Sequence, residues 1–160
     1  MSSGKISTEQ YLERMRQEKS KRGLSFAQIA EKMGRDELYV AAIFYGQAKP
    51  DKDDLAKLKT GLGLEDIEEY LGGDFFPSRG GLDPMPPQDP ILYRLYEALM
   101  VYGRPIKCLI NEKVRGPLTQ FGDGIMSAID FRGHVEKVED PKGDRVKITL
   151  DGKFLPYRRW

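Results

Sequence analysis

The first half of the chain has apolar positions with the period of helices, and it carries residues that begin and end helices. Ser7 and Gln10 have the spacing of a capping box before an apolar run, and Ser25 is a suitable N-cap for a second helix. Gly34 is a suitable end for that second helix. The same signals predict three more helices, at 36–44, from Asp51 through Leu58, and at 64–71.

The composition changes between Gly72 and Pro90, where four glycines are interleaved with five prolines. Proline fixes φ and lacks an amide donor, so neither a helix nor a sheet can run through this stretch. We therefore expect a linker. Its apolar residues, Phe75, Phe76 and Met85, indicate that it packs onto the protein.

The second half predicts a helix and then strands. Asp89 and Pro90 supply an N-cap and a first-turn proline for a helix with a broad apolar face. We expect the Gly-Arg-Pro sequence at 103–105 to break it, with a short helix after the break. The short helix is predicted at 106–112. Apolar and polar residues alternate at 125–135 and 146–150, which predicts strands, and turns are predicted at 140–143 and 151–152.

The predicted fold class is α+β, with three segments along the chain. Residues 1–73 form a helical bundle that resembles a helix-turn-helix domain, residues 74–88 form the Gly/Pro-rich linker, and residues 89–160 form a small α+β domain.

The helix-turn-helix pattern rests on Ala30, Gly34 and Val40, which have the spacing of a small crossing residue, a turn glycine and a buried aliphatic residue. The second helix of the pair begins with Asp36 and Glu37, and residues 1–75 contain 12 Lys/Arg against 14 Asp/Glu. Phosphate contacts dominate DNA affinity, so this acidic surface predicts a structural role and no nucleic-acid binding.

Composition excludes several other classes of protein. The net charge is +1, from 26 Lys/Arg and 25 Asp/Glu, which gives no bulk attraction to nucleic acid or to an anionic membrane.

No apolar run is long enough to span a bilayer, and no secretory signal is visible, so we expect a cytoplasmic protein. One cysteine, Cys108, and one histidine, His134, cannot build a Cys/His zinc site; we expect Cys108 in the core and His134 in a strand or turn.

Candidate chemistry lies in the second half. Arg94 and Glu97 are three residues apart, so they project from one side of the predicted helix. Apolar neighbours favour a buried guanidinium with a dedicated partner. Ser127 is a small hydroxyl residue in an apolar run, after glycines at 122 and 124 that allow close backbone approach.

Several separated motifs closely resemble the cyanase family, also called cyanate hydratase or cyanate lyase. They cover essentially all of 89–160, and the likeness extends more loosely through Leu24 to Gly46. The motifs are Asp89-Pro90-x-x-Tyr93-Arg94-x-Tyr96-Glu97, Val101-Tyr102-Gly103, Glu112-Lys113, the nine residues from Phe121 to Ile129, and the nine residues from Ile148 to Pro156.

The resemblance implies an enzyme that decomposes cyanate to ammonia and carbon dioxide through carbamate, with bicarbonate as co-substrate. It implies no metal and no organic cofactor, and it places the family's catalytic residues on Arg94, Glu97 and Ser127. It also implies a homodecamer built as a pentamer of dimers, with catalysis and oligomerisation in residues 89–160 and sites between subunits.

The residues are consistent with that chemistry. Both substrates are small anions, and Arg94 supplies a permanent, planar positive charge that suits a carboxylate-like anion. Backbone amides near 122–127 could add donors. Glu97 either orients Arg94 or relays a proton, and Ser127 hydrogen-bonds an anion, since no base lies beside it in sequence to make it a nucleophile. The alternative function is a helix-turn-helix regulator whose C-terminal half only oligomerises.

Residues Val114 to Gln120 depart from the family pattern, in which Glu112-Lys113 usually leads directly into Phe121. We predict that deleting these seven residues leaves a folded, active protein, because Gly116 and Pro117 mark a loop. If the segment is a flap near the site, the deletion changes the steady-state kinetics more than the assembly. If it is an interface segment, the deletion changes the melting temperature first. Loss of folded protein would show that the segment is part of the fold.

Overall fold

Six helices and two strands make up the part of the chain that the structure describes. The structure is a computed structural model, and it describes residues 5–77, 84–114 and 124–158. The elements confirm the predicted fold class, α+β. In chain order they are α1 (Thr8–Lys21), α2 (Phe26–Met33), α3 (Glu37–Phe44), α4 (Lys52–Leu62), α5 (Ile67–Leu71), α6 (Pro90–Lys113), β1 (Gly124–Val138) and β2 (Arg145–Pro156).

The predicted helix starts are confirmed by hydrogen bonds at the caps. The hydroxyl of Ser7 accepts from the Gln10 amide at 3.2 Å, and the hydroxyl of Ser25 accepts from the Gln28 amide at 3.1 Å. In both caps the glutamine side chain bonds back to the serine amide, which completes the capping box. Helix α2 ends at Gly34, whose φ of 67° is the left-handed conformation that favours glycine.

Helices α2 and α3, which carry the predicted helix-turn-helix pattern, pack against each other. Ala30 and Val40 are both buried between the helices of the bundle, and Asp36 caps α3 by accepting from the Leu38 amide at 2.9 Å. All the buried apolar residues of the described chain belong to this helical half: Tyr11, Leu12, Met15, Ile29, Ala30, Met33, Val40, Ile43, Phe44, Ala48, Leu55, Leu58, Leu62, Leu64, Ile67 and Leu71.

A buried carboxylate joins three parts of the bundle. Asp54, at the start of α4, has no exposed surface, and its oxygens accept from Arg35 Nε at 2.7 Å and from the Tyr39 hydroxyl at 2.9 Å. The same carboxylate closes the capping box of Asp51. Burial and the bond to Asp54 raise the pKa of Tyr39 to about 12, so the Tyr39 hydroxyl keeps its proton and remains a donor.

Helix α6 runs unbroken for 24 residues, so the predicted break at 103–105 and the separate short helix after it are wrong. Pro105 removes one helical hydrogen bond, which in a helix interior costs about 3 kcal/mol. The apolar stripe keeps its helical phase across this point, however, from Leu92 and Leu99 to Ile106 and Ile110. The whole helix buries none of its side chains within the described chain, and Cys108 is exposed on it rather than in the core as predicted.

Strands β1 and β2 form a two-stranded sheet, joined by the predicted turn at 140–143. A connection this short makes the pair antiparallel. The second predicted turn, at Asp151-Gly152, is wrong, because β2 continues through both residues. The physical reason is a close approach: a Cβ on Gly152 would overlap the carbonyl oxygen of Ser127 on β1.

The described residues fall into two compact units. One combines the helices within Met1–Gly80 with Arg132–Leu150, and the other combines the described parts of Gly81–Phe131 and Asp151–Trp160. In the first unit, a Cβ on Gly133 would overlap the Leu38 side chain on α3. His134 lies in β1, as the sequence predicts, and its Nδ1 is 3.8 Å from a Glu37 carboxylate oxygen.

Some predictions fall on residues that the structure does not describe. These residues are 78–83 of the linker and 115–123. The second range holds residues 115–120 of the segment that departs from the family pattern, and the start of the Phe121 motif. The predicted segment boundaries at 73 and 89 remain predictions. Among the helices of the described chain, none is long and apolar enough to cross a bilayer.

We predict that Asp54→Ala lowers the free energy of unfolding by about 2–4 kcal/mol, because it removes a cap and leaves the partly buried Tyr39 hydroxyl without this acceptor. Asp53→Ala is the matched control: the neighbouring carboxylate is exposed and pairs with Lys57 at 2.7 Å in an i,i+4 pair. Thermal unfolding of both full-length variants measures the difference. Equal melting temperatures would contradict a structural role for Asp54.

Candidate active site

The start of α6 positions two of the candidate residues. Asp89 caps the helix by accepting from the Ile91 and Leu92 amides at 2.9 and 3.0 Å, and Pro90 occupies the first turn, as predicted. Arg94 and Glu97 follow one helical turn later. Their i,i+3 spacing places both side chains on the same side of the helix.

Arg94 and Glu97 form a direct ion pair, so Glu97 is the dedicated partner that the sequence predicts for Arg94. Arg94 Nη1 donates to Glu97 Oε2 at 2.6 Å, and the Arg94 guanidinium lies 5.5 Å from the centroid of the Tyr93 ring. The hydrogen bond from Arg94 to Glu97, followed by their charge attraction, raises the pKa of Arg94 above its ordinary value. The guanidinium is therefore a permanent cation held in a defined direction.

The expectation that Arg94 is buried is wrong for the single chain. The Arg94 side chain is 70% exposed and that of Glu97 is 49% exposed. The reason is that the apolar neighbours that suggested burial are themselves uncovered: Tyr93, Leu95 and Leu99 are all exposed. A cation in this position is open to an anion from solvent or to a second protein surface.

Ser127 has the opposite environment. It is 9% exposed, although it lies in β1 among exposed neighbours. Its hydroxyl oxygen accepts from the backbone amides of Ile129 and Asp130, both at 3.0 Å. A hydroxyl has two acceptor lone pairs and one donor, so these bonds occupy the acceptors and leave the O–H group available to donate.

The structure brings Arg94 and Glu97 together but does not join Ser127 to them. Among the described residues, no hydrogen bond or ion pair of the single chain connects Ser127 with Arg94 or Glu97. All three residues belong to the same compact unit.

The bonds from the amides of Ile129 and Asp130 to Ser127 were not predicted from the sequence. A serine followed by amides two and three residues later is a recognised local motif, in which the hydroxyl bonds to its own backbone. That signal was present in Ser-Ala-Ile-Asp, but it is common enough in turns that it did not single out this segment. The donors predicted at 122 and 123 lie outside the described residues.

No cluster of three or more His, Cys, Asp or Glu side chains with metal-binding geometry occurs within residues 5–77, 84–114 and 124–158. His134, the one histidine of the chain, lies near the Glu37 carboxylate in the unit that contains the helical bundle. The three candidate residues Arg94, Glu97 and Ser127 supply a cation, a carboxylate and a hydroxyl. Such a set can bind, orient and protonate small anions.

Comparisons with known proteins agree with one another. Residues 84–159 match the model of the cyanate lyase C-terminal domain. The cyanate hydratase of Mycosarcoma maydis is 63% identical over 140 residues, covering 86% of this chain and 82% of that protein. The cyanate hydratase of Synechococcus sp. is 51% identical over 142 residues, covering 89% of each chain.

A solved structure extends the likeness to the fold. The crystal structure of cyanase from T. urticae superimposes with a TM-score of 0.73 and 29% identity, covering 92% of this chain and 97% of that one. Matches of this extent cannot be confined to residues 84–159, so the similarity includes the helical half.

Proposed function

The chain belongs to the cyanate hydratase family, and on that premise we propose that it decomposes cyanate to ammonia and carbon dioxide with bicarbonate as co-substrate. Family membership makes it an enzyme, a carbon–nitrogen lyase. The observation that carries the proposal is the similarity to cyanate hydratases over most of the chain. The same similarity disfavours the alternative of a helix-turn-helix regulator.

The proposed reaction balances without a redox step. A bicarbonate oxygen attacks the cyanate carbon, a C–O bond forms, and the cyanate nitrogen accepts a proton. The C–O bond to the former bicarbonate carbon then breaks, which releases carbon dioxide and leaves carbamate. Carbamate takes up a proton and separates into ammonia and a second carbon dioxide. Over the cycle one cyanate, one bicarbonate and two protons are consumed.

Bringing two anions together is the main barrier, so fixed positive charge and donors are what the site must supply. We assign the charge to Arg94, whose planar guanidinium can bind two oxygens of one anion. Glu97 receives one Arg94 donor at 2.6 Å, which supports a role in orienting the guanidinium. The free O–H of Ser127 supports a role as the donor to an anion rather than as a nucleophile.

We further propose that the enzyme is a decamer with sites shared between subunits. Support comes from apolar surface that the single chain leaves uncovered on α6 and on the hairpin, including Leu99, Met100, Ile125, Ile129 and Val146. A unit of some 70 residues is too small to cover such surface alone, and a symmetric partner can complete its core. A shared site also supplies more than one Arg94 to two anions.

Light scattering on the purified protein tests the assembly. We expect a large closed oligomer with the mass of ten chains. A monomer that remains active at dilution would contradict both the decamer and the shared site, because the uncovered surface of α6 would then be stable in water.

We propose a cytoplasmic enzyme without nucleic-acid partners and without a membrane partner. The single thiol of the chain, Cys108, forms no internal disulfide, which suits a reducing compartment. The acidic residues at the start of α3, Asp36 and Glu37, oppose phosphate binding. The proposed segments are the helical bundle at 1–73, the linker at 74–88 and the catalytic and oligomerisation domain at 89–160.

We predict that ammonia release from cyanate depends on added bicarbonate and does not fall after treatment with a metal chelator. The reason is that the proposed chemistry uses only Arg94, Glu97, Ser127 and proton transfer. A coupled ammonia assay with and without bicarbonate makes the measurement. Activity that is lost on chelation and restored by zinc would refute the absence of a metal.

We predict that Arg94→Lys lowers kcat/KM by roughly a hundredfold or more while the assembly persists, because lysine keeps the charge but not the two-pronged donor geometry. Arg104→Lys is the matched control: Arg104 is an exposed arginine ten residues further along the same helix. Steady-state kinetics on both variants, with Glu97→Gln and Ser127→Ala beside them, checks the assignment. A variant of Arg94, Glu97 or Ser127 with normal kinetics would remove that residue from the site.

A further inference from the structure

Gly152 lies in β2 beside Ser127 of β1. Its φ is not positive, so its backbone conformation is one that any residue can adopt. The reason for glycine is space: a Cβ built on Gly152 would overlap the Ser127 carbonyl oxygen, and it would lie 2.5 Å from Met126 Cγ and 3.2 Å from Phe131 Cδ2. Three neighbours therefore occupy the volume that any side chain at 152 would need.

These three neighbours differ in how readily they can move. Met126 is a flexible side chain with about 43% of its surface exposed, so it can rotate away. The Phe131 ring edge needs to shift by only a few tenths of an ångström. The Ser127 carbonyl is backbone, so it cannot yield unless the Ser127 residue itself moves or the two strands separate.

Any movement of the Ser127 backbone is transmitted to its hydroxyl. Two bonds of 3.0 Å tie the Ser127 oxygen to the amides of Ile129 and Asp130, which lie in the same strand. The carbonyl against Gly152 and the hydroxyl that donates to the anion thus belong to one short, locally bonded segment. The absence of a side chain at 152 fixes where that segment lies relative to β2.

We propose that Gly152 is a positioning residue for Ser127: its lack of a side chain lets β2 hold the Ser127 segment at the place from which the hydroxyl reaches the substrate anion. The inference rests on the proposed function, in which Ser127 donates to an anion. Displacements well below 1 Å in a positioned catalytic group are enough to slow a reaction, and 1 Å can cost about a hundredfold.

The test compares Gly152→Ala with Gly133→Ala in the full-length enzyme. Gly133 lies in the same hairpin, and an added Cβ there meets the Leu38 side chain, so this variant strains the hairpin at a contact that does not include Ser127. We expect Gly152→Ala to lower kcat by roughly tenfold to a hundredfold with the assembly intact. We expect Gly133→Ala to keep its kcat, whatever its melting temperature. Equal kcat losses in the two variants would overturn the proposal.

A double-variant cycle separates positioning from general damage to the hairpin. If Gly152 acts through Ser127, adding Gly152→Ala to Ser127→Ala should cause little further loss of kcat, because the group that is displaced is already gone. A further loss as large as that in the wild-type background would overturn the proposal. A wild-type enzyme that is inactive on cyanate, or a fully active Ser127→Ala variant, would instead refute the proposed function.

A second background keeps the test decisive if Gly152→Ala does not assemble. Met126→Ala removes one of the two side chains that meet the added Cβ, so the Ser127 carbonyl becomes the main obstacle. Met126→Ala/Gly152→Ala is then compared with Met126→Ala, and the same fall in kcat is expected. Failure of the double variant to assemble would overturn the proposal, because Gly152 would then be a requirement of the fold itself.

Discussion

Helix α6 determines what the rest of the molecule must do, because it carries Arg94 and Glu97 yet buries none of its 24 residues within the described chain. A helix that is apolar over so much of its surface is stable in water only when something covers it. In the proposed decamer a neighbouring subunit covers this surface, so the ion pair of α6 is most open before subunits associate.

The two halves of the chain differ in how many of their apolar side chains are buried. Within residues 5–77, 84–114 and 124–158, all buried apolar side chains lie in the helical half, where Asp54 and its capping box also bond to backbone and hydroxyl groups of α3 and α4. The bundle therefore carries most of the apolar core of the described chain, and its helix α3 begins with the acidic residues Asp36 and Glu37.

Local signals allowed much of the fold to be predicted from the sequence. Each helix cap depends on residues within four positions, so the caps could be predicted from the sequence. They lie at Ser7, Ser25, Asp51 and Asp89. Errors arose where one residue type has two physical uses. Gly152 was interpreted as a turn glycine, but it lies within β2 and allows that strand to approach β1 closely. Pro105 was interpreted as a helix break, although the apolar stripe continues past it.

The candidate site shows the same limit. The pairing of Arg94 with Glu97 could be predicted from their spacing, but their exposure could not, because it depends on surfaces that no single helix specifies. The resemblance singled out Ser127, yet the two amides that saturate its oxygen become visible only once the strand is folded. The sequence motifs thus named the candidate residues, and the three-dimensional contacts added how each of them is hydrogen-bonded.

The saturated oxygen of Ser127 has a chemical consequence of its own. Cyanate is an electrophile that carbamylates free amines and activated hydroxyls, so an enzyme that concentrates it endangers its own side chains. A serine whose lone pairs both accept amide hydrogen bonds is a poor nucleophile, and a guanidinium that never loses its proton is another. In the proposed site, Arg94 and Ser127 are accordingly groups that can hold the reagent without being consumed by it.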